Sequence, residues 1–256
     1  MNDWLINKVQ EIIGEVNSVE KLAEQGCTSE VRCIFTKGHR YILKSSFKKK
    51  YREWLSAEAR VLETLKYQSV IPFPAFYGFI EHEDSSHLIM SHEDGITLTA
   101  ALREAAAASE QEDLIRSFGK FLQHLHDQEP LTQFVHDEEW LDTQLVRAKA
   151  YVENGQTGGS LELLERLTTN KPQRVKQTMI HGDCTTDNVL VIGGEVRMFI
   201  DVAGMTIGDP RYDEALAIGR FMNRSDLLNA FYKGYTRYKV TREEYQYFDE
   251  GLYTFF

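Results

Sequence analysis

The feature that most constrains the fold of this chain is the stretch of residues 180–201, which reads IHGDCTTDNVLVIGGEVRMFID. Two apolar, β-branched segments, Val189–Ile192 and residues 196–200, flank a Gly-Gly pair. Such a pair can adopt the positive φ angles that a tight hairpin turn requires. Strand pairing about this turn predicts a rigid ribbon that returns Asp201 to the side of the loop formed by residues 181–188.

Oxygen-bearing side chains are expected at the open end of this ribbon. Asp183 and Asn188 lie in the loop, and Asp201 follows the second strand, so the three should converge. Hard oxygen ligands of this kind suit Mg²⁺, which prefers one or two carboxylates together with water and substrate phosphates. The ribbon therefore predicts a phosphoryl-transfer site.

Composition narrows the class of protein. With 256 residues the chain can form one large domain or two small ones. The formal net charge of −10 argues against nucleic acid as a partner. It fits attraction of a cationic small substrate, although acidity can also serve solubility alone. Three widely spaced cysteines, no apolar run long enough to cross a bilayer and no signal pattern at the start of the chain predict a cytoplasmic protein without a membrane partner.

The first third of the chain has the pattern of a sheet with two helices. Apolar spacing and turn-prone residues predict a helix over residues 4–14, a hairpin of strands 30–36 and 40–44, a helix over 51–66, and strands 75–81 and 87–91. Strand alternation puts Lys44 on the same face as Ile42. A strand lysine paired with a helix glutamate, here Glu58, is how kinase-type sites hold a lysine against the α- and β-phosphates. The ordinary alternative is that both charges are solvated.

Beyond a polar connector near residue 93, helical spacing dominates. Helices are predicted over residues 105–108, 113–127, 138–154, 161–167, 212–222, 224–235 and 242–256. His124 and His126 are two residues apart and face different sides, so we interpret them as helix-end residues rather than metal ligands. The order of elements predicts an α+β, two-lobed fold with a small β-rich lobe (residues 1–92) and a larger, mainly helical lobe (residues 93–256).

The motifs resemble a known family. His181-Gly182-Asp183, then Asn188, then Asp201 thirteen residues later, is similar to the catalytic signature of aminoglycoside phosphotransferases and their choline-kinase-like relatives, which have a protein-kinase-like fold. The resemblance covers nearly the whole chain. It includes Lys44 and Glu58, the hinge-like stretch HEDG at residues 92–95, and GDPRYD at residues 208–213.

The resemblance implies roles for the residues of the signature. Asp183 would be the catalytic base or would orient the acceptor hydroxyl, and Asn188 and Asp201 would hold Mg²⁺. His181 and Asp213 would brace the catalytic loop.

It likewise implies the nucleotide contacts. Lys44, fixed by Glu58, would bind the α- and β-phosphates of ATP. In the small polar loop of residues 25–29, Gly26 to Ser29 would cover the triphosphate, with Ser29 as a candidate contact. Backbone groups from Ser91 to Glu93 would read adenine, below Met90 and beside Ile42.

Two positions depart from the family pattern. Ile42 stands where members often have an aromatic residue that stacks on the base, so base stacking or the choice of purine can differ. Thr186, followed by Asp187, stands where aminoglycoside enzymes commonly carry an acid that holds substrate amines. The sequence also disfavours a protein kinase, because it has HGD in place of HRD, no A-P-E motif and no room for a long activation loop.

The expected function is therefore ATP- and Mg-dependent phosphorylation of a hydroxyl on a small, amine-bearing molecule such as an aminoglycoside antibiotic. The acceptor pocket is expected among the helical segments 97–175 and 225–256. Alternative acceptors are a macrolide, a choline-like amino alcohol, a sugar or homoserine. A nucleotide-binding pseudokinase is a third interpretation, against which stand the four retained side chains Lys44, Asp183, Asn188 and Asp201.

Overall fold

The structure, a computed structural model, describes residues 1–23, 25–66, 71–135 and 138–256. It divides into two units. The first unit comprises Met1–Asp94 together with Met198–Gly204, and the second comprises Gly95–Arg197 together with Met205–Phe256. A short segment late in the chain thus belongs with the N-terminal sheet.

The first unit is built on a five-stranded antiparallel sheet with the strand order β1-β2-β3-β5-β4. Its elements are α1 (Asp3–Ile13), β1 (Val16–Lys21), β2 (Glu30–Thr36), β3 (Arg40–Ser46), α2 (Lys49–Leu65), β4 (Phe76–Glu81) and β5 (Ser86–Ser91). Leu5 and Val9 of α1 pack on Ile34, Leu43 and Ile89 of the sheet, and this buried cluster forms one core of the unit. The predicted helices and strands of this region are confirmed.

The second unit is mainly helical. Its helices are α3 (Leu98–Glu104), α4 (Ala108–His126), α5 (Trp140–Glu153), α6 (Leu161–Thr169), α7 (Pro210–Ile218), α8 (Ser225–Gly234) and α9 (Arg242–Phe248). The contact between α4 and α8 depends on Gly119 and Gly234. A Cβ at Gly119 would lie 2.4 Å from the carbonyl oxygen of Phe231, and one at Gly234 would lie 2.2 Å from that of Arg116. Only glycine permits the two backbones to approach this closely.

Short strands position the loops of the second unit. These are β6 (Ile96–Thr97), β7 (Thr178–Ile180), β8 (Val189–Ile192), β9 (Glu195–Phe199) and β10 (Thr206–Gly208). The order β6-β8-β9 forms one sheet, and β10 pairs antiparallel with β7. The predicted hairpin turn is confirmed, since Gly193 and Gly194 have φ angles of 62° and 83°. A strand-rich N-terminal part followed by a helical C-terminal part confirms the predicted α+β class.

One predicted helix is wrong at residues 105–107, and another, over residues 242–256, is confirmed in its first half only. Residues 105–107 lie outside a helix, because the Glu110 side chain caps α4 at its start. The Glu110 carboxylate accepts hydrogen bonds from the backbone N–H groups of Ala106 and Ala107 at 2.8 and 3.4 Å. This capping outweighs the helix propensity of alanine.

The helix predicted over residues 242–256 ends at Phe248 and is followed by a 3₁₀ turn, Leu252–Phe255. The chain changes direction at Gly251, where a Cβ would lie 2.5 Å from the carbonyl oxygen of Tyr247. Beyond this bend both Leu252 and Phe255 are fully buried. Burial of these two side chains therefore decides the path of the chain here.

No helix in the described ranges is long and apolar enough to cross a membrane.

Candidate active site

In the first unit, Lys44 lies between two carboxylates. Its Nζ donates to Glu58 Oε1 at 2.7 Å and also to Asp201 Oδ1. Lys44 is 8% exposed and Glu58 5%. Burial by itself lowers the pKa of Lys44, but the negative charges of Asp201 and Glu58 outweigh it and raise the pKa, so the lysine keeps its charge. The predicted pairing of Lys44 with Glu58 is present in the structure.

Sheet register and helix packing place this pair. Lys44 lies on β3 between Val31 of β2 and Leu88 of β5, so its position along the sheet is fixed from both sides. Glu58 lies on the buried face of α2, together with Leu55 and Leu62. A charged pair buried at this point must remain paired, because an unpaired buried ion is costly.

Asp201 has an unusual backbone conformation. Its φ is 59°, and within the described ranges it is the only residue other than glycine with positive φ. Aspartate tolerates this left-handed conformation better than most residues. Residues held in sparsely populated backbone conformations cluster at functional sites. Because Asp201 belongs to the first unit and Asp183 and Asn188 to the second, their predicted convergence stays a prediction.

Hydrogen bonds of the Gln25 and Ser29 side chains hold the two ends of the loop at residues 25–29. The Gln25 amide donates to the carbonyl oxygens of Leu22 and Val31 and accepts from the Val31 N–H at 2.9 Å. The Ser29 hydroxyl lies 2.6 Å from that of Ser46, which is fully buried. Ser29 thus has an internal hydrogen-bond partner, and its assignment as a phosphate contact stays a prediction.

The predicted adenine-reading segment follows β5. Ser91 Oγ accepts from the Ala75 N–H at 2.8 Å and donates to the Glu93 carboxylate, so these two side chains fix each other. Ile42 and Met90 are direct partners in the pairing of β3 with β5. These residues thus lie at one end of the paired strands β3 and β5, while their contact with a base stays a prediction.

In the second unit, Asp183 sits in a loop that holds it by several bonds. Asn188 Nδ2 donates to Asp183 Oδ2 at 2.7 Å and to its backbone carbonyl at 2.8 Å. The Asp183 N–H donates to His181 Nδ1 at 3.2 Å, and the Thr185 N–H donates to the Asp183 carbonyl oxygen at 2.9 Å. Gly182, with a φ of 81°, supplies the turn that these bonds require.

A buried network supports this loop from below. Asp213 on α7 accepts from the backbone N–H groups of His181 and Gly182 at 2.6 and 2.8 Å. His126 Nε2 lies 3.3 Å from the same carboxylate, and its Nδ1 lies 2.8 Å from the Tyr235 hydroxyl. The bracing that the sequence implied for Asp213 has a structural basis in these bonds.

Sequence reasoning missed two residues of this site. His126 is the last residue of α4, as predicted, but its burial was missed, although it continues the apolar stripe of Phe118 and Leu122 on this helix. The four-residue spacing of Phe118, Leu122 and His126 indicates that His126 faces the core. Sequence reasoning also missed Tyr253, whose hydroxyl donates to Asp183 Oδ1 at 2.8 Å. No motif marks Tyr253, because its contact depends on the bend at Gly251.

Two residues of this loop, Thr186 and Asp187, contact other segments of the second unit. Asp187 forms an ion pair with Arg220, and the buried Thr186 hydroxyl lies 2.7 Å from that of Thr99. Thr186 therefore packs into the protein.

Comparison with sequence models of protein families gives a match over most of the chain. The sequence model of the phosphotransferase enzyme family, abbreviated APH, matches residues 21–248. This match confirms the resemblance inferred from the HGD motif. No curated protein matches the chain significantly.

Similarity to solved structures establishes the fold of the chain. An aminoglycoside-3'-phosphotransferase of type VIII is similar over 100% of both chains, with a TM-score of 0.79 at 20% identity. A spectinomycin phosphotransferase in complex with ADP and spectinomycin is similar over 97% of this chain and 83% of its own, with a TM-score of 0.64 at 15% identity. A macrolide 2'-phosphotransferase from Brachybacterium faecium is similar over 97% and 87%, with a TM-score of 0.58 at 16% identity. The chain therefore has the protein-kinase-like fold of these enzymes.

Proposed function

Because this chain belongs to the phosphotransferase enzyme family, we propose that it transfers the γ-phosphoryl group of ATP to a hydroxyl of a small molecule. The observation that carries the proposal is the buried Lys44–Glu58 pair, in which a lysine is kept charged where phosphates would need a cation. In the proposal, residues 1–92 bind the nucleotide, and residues 93–256 supply the catalytic loop and the acceptor pocket.

The loop around Asp183 supports the second half of the reaction. The acceptor hydroxyl oxygen forms a bond to the γ-phosphorus, and the bond from that phosphorus to the bridging oxygen of ADP breaks. The hydroxyl proton passes to the Asp183 carboxylate and then to solvent. Because the transition state is loose, the contribution of Asp183 is mainly to orient the hydroxyl. A carboxylate fixed by Asn188 in a braced loop suits that task.

The oxygen donors fit magnesium. Asp201 has a carboxylate with a 44% exposed side chain, and Asn188 uses its amide nitrogen as a donor to Asp183, which leaves the amide oxygen as the acceptor end. Within the described residues, no group of three or more His, Cys, Asp or Glu could hold a metal ion. In the proposal, Asn188 and Asp201 each provide an oxygen ligand to the ion together with phosphates and water, and the bound ion would neutralise phosphate charge.

An amine-bearing acceptor such as an aminoglycoside is the first candidate. The net charge of −10 favours a cationic partner, and the structurally similar enzymes named above are phosphotransferases of aminoglycosides, spectinomycin and macrolides. The alternative is a hydroxyl compound of another class, such as a macrolide, an amino alcohol, a sugar or homoserine. Its support is that Thr186 is buried against Thr99 and Asp187 is paired with Arg220. We place the reaction in the cytoplasm, where ATP is abundant, with no nucleic-acid or membrane partner.

An acceptor screen tests the proposal. Purified protein is incubated with Mg-ATP and a panel of aminoglycosides, macrolides, amino alcohols and sugars, and ADP formation is followed. We expect one class to stimulate turnover. If turnover occurs but no aminoglycoside stimulates it, the first candidate acceptor is wrong and the alternative stands. No stimulation by any class, with Mg-ATP binding intact, would favour a pseudokinase.

Two substitutions separate the assigned roles. Asp183→Ala should abolish transfer and leave Mg-ATP affinity within about threefold, because it removes the group that orients the acceptor. Asp201→Ala should weaken Mg-ATP binding itself. Calorimetric titration with the non-hydrolysable analogue AMP-PNP measures both affinities. Residual transfer by Asp183→Ala at the wild-type rate would contradict the role of Asp183.

A further inference from the structure

We propose that Tyr253 is a positioning residue that holds the Asp183 carboxylate in the orientation that the acceptor hydroxyl needs. The inference rests on the proposed function, because it concerns the same reaction. Tyr253 does not belong to the HGD signature, and the structure singles it out by its contact with Asp183.

The geometry is that of a carboxylate held from both sides. The Tyr253 hydroxyl donates to Asp183 Oδ1 at 2.8 Å, and Asn188 Nδ2 donates to Oδ2 at 2.7 Å. Two donors on different oxygens restrict rotation of the carboxylate about both of its side-chain torsions. Each carboxylate oxygen has two lone-pair directions, so Oδ1 can accept from the phenol and from an acceptor hydroxyl together. Tyr253 therefore orients Asp183 without displacing the acceptor.

The backbone around Tyr253 is anchored. Leu252 and Phe255, on either side of it, are fully buried. The ring of Phe255 packs so closely on Gly159 that a Cβ there would lie 2.4 Å from it, and Thr157 Oγ1 donates to the Thr254 carbonyl oxygen at 3.1 Å. Since the flanking residues are fixed, the phenol is presented by a rigid element, which is what precise positioning requires.

The phenol also remains a donor. Burial, followed by the negative charge of Asp183, raises the pKa of Tyr253, so its hydroxyl keeps its proton at neutral pH. The hydroxyl has one hydrogen, and the geometry directs it to Asp183 Oδ1. The edge of the Tyr253 ring lies beside Tyr212, with 6.5 Å between centroids. This contact limits reorientation of the ring.

Tyr253→Phe tests the inference, with Tyr247→Phe as the matched control. Tyr247 is buried in the same unit, but its hydroxyl donates to the Leu167 carbonyl oxygen at 3.0 Å. With the acceptor found in the screen, we expect Tyr253→Phe to lower kcat about 10-fold while the KM for ATP stays within about twofold, because orientation of the base is lost and nucleotide binding is not. Tyr247→Phe should keep kcat near the wild-type value.

A rescue variant distinguishes donation from packing. Incorporation of 4-aminophenylalanine at position 253 keeps an N–H donor on a ring of similar size, so kcat should recover to within about threefold of wild type. Circular dichroism and thermal melting confirm that each variant is folded.

The outcomes separate the inference from the proposed function. If the wild-type protein is active and Tyr253→Phe matches or exceeds its kcat, the phenol does not position Asp183 and the inference fails alone. Failure of the 4-aminophenylalanine variant to recover while folded would also overturn it. If the wild-type protein transfers phosphate to no acceptor, the proposed function fails and the positioning role fails with it.

Discussion

Glu214 on α7 offers a test of the burial that the structure describes. The residue is fully buried, and its Oε1 accepts from the Tyr232 hydroxyl at 2.8 Å and from the Val240 N–H at 2.7 Å. Its Oε2 is buried and, among the described residues, has no hydrogen-bond partner. Burial raises the pKa of Glu214 to about 7, even though the bonds from Val240 and Tyr232 act in the opposite direction. The carboxyl should therefore titrate near neutral pH.

The sign of the stability effect follows from linkage. The folded state binds the proton of Glu214 more tightly than the unfolded state does, since the pKa rises from 4.5 to about 7 on folding. Relative to a neutral glutamine, the carboxyl therefore contributes stability that is fully present below the unfolded pKa and is lost as the pH rises through 7. Between pH 5 and pH 8 the loss is about 2.5 kcal/mol.

Urea unfolding of wild type and Glu214→Gln at several pH values between 5 and 8 measures this effect. We expect the free energy of unfolding of wild type, minus that of the variant, to fall by about 2–3 kcal/mol across this range. Glu165→Gln, on the exposed face of α6, is the control for replacement of a surface carboxylate. A difference for Glu214→Gln that does not fall between pH 5 and pH 8 would refute the burial argument.

Two further predictions concern the candidate site. Lys44→Met should destabilise the protein by about 3–5 kcal/mol in urea unfolding, because it leaves buried Glu58 unpaired. Adding Glu58→Gln should restore part of that loss. Equal stability of the single and double variants would contradict the pairing. Asp213→Asn should lower kcat roughly 10-fold or more with little change in the KM for ATP, because an asparagine has one acceptor oxygen for the two N–H groups of His181 and Gly182. Steady-state kinetics test the second prediction, and an unchanged kcat would show that the loop keeps its conformation without the brace.

Local pattern predicted most of the fold. Period-2 alternation gave the paired strands β2 and β3, and the Gly-Gly pair gave the hairpin turn, because in both cases the determining residues are close in sequence. The errors fall where a longer-range effect prevails. Glu110 caps α4 and ends the helical run of alanines, and burial of Leu252 and Phe255 bends the chain after α9.

The candidate site divides in the same way. Asp183, Asn188, Asp201 and Lys44 could be singled out because motif spacing and family resemblance mark them. Tyr253 could not, since its contact with Asp183 joins residues 70 positions apart through a bend that no motif signals. The engagement of Thr186 with Thr99 was equally beyond reach, because it depends on tertiary packing between separate segments.

Asp213 and Glu214 show why residue type alone does not assign a role. They are adjacent on α7 and fully buried, but successive helix positions face directions about 100° apart. Asp213 faces the N–H groups of His181 and Gly182 and the ring of His126, whereas Glu214 faces Tyr232 and Val240. A change at Glu214 should therefore alter stability with pH and leave kcat per folded molecule intact, while a change at Asp213 should act on the loop that carries Asp183. The two variants together distinguish support of the fold from support of the reaction.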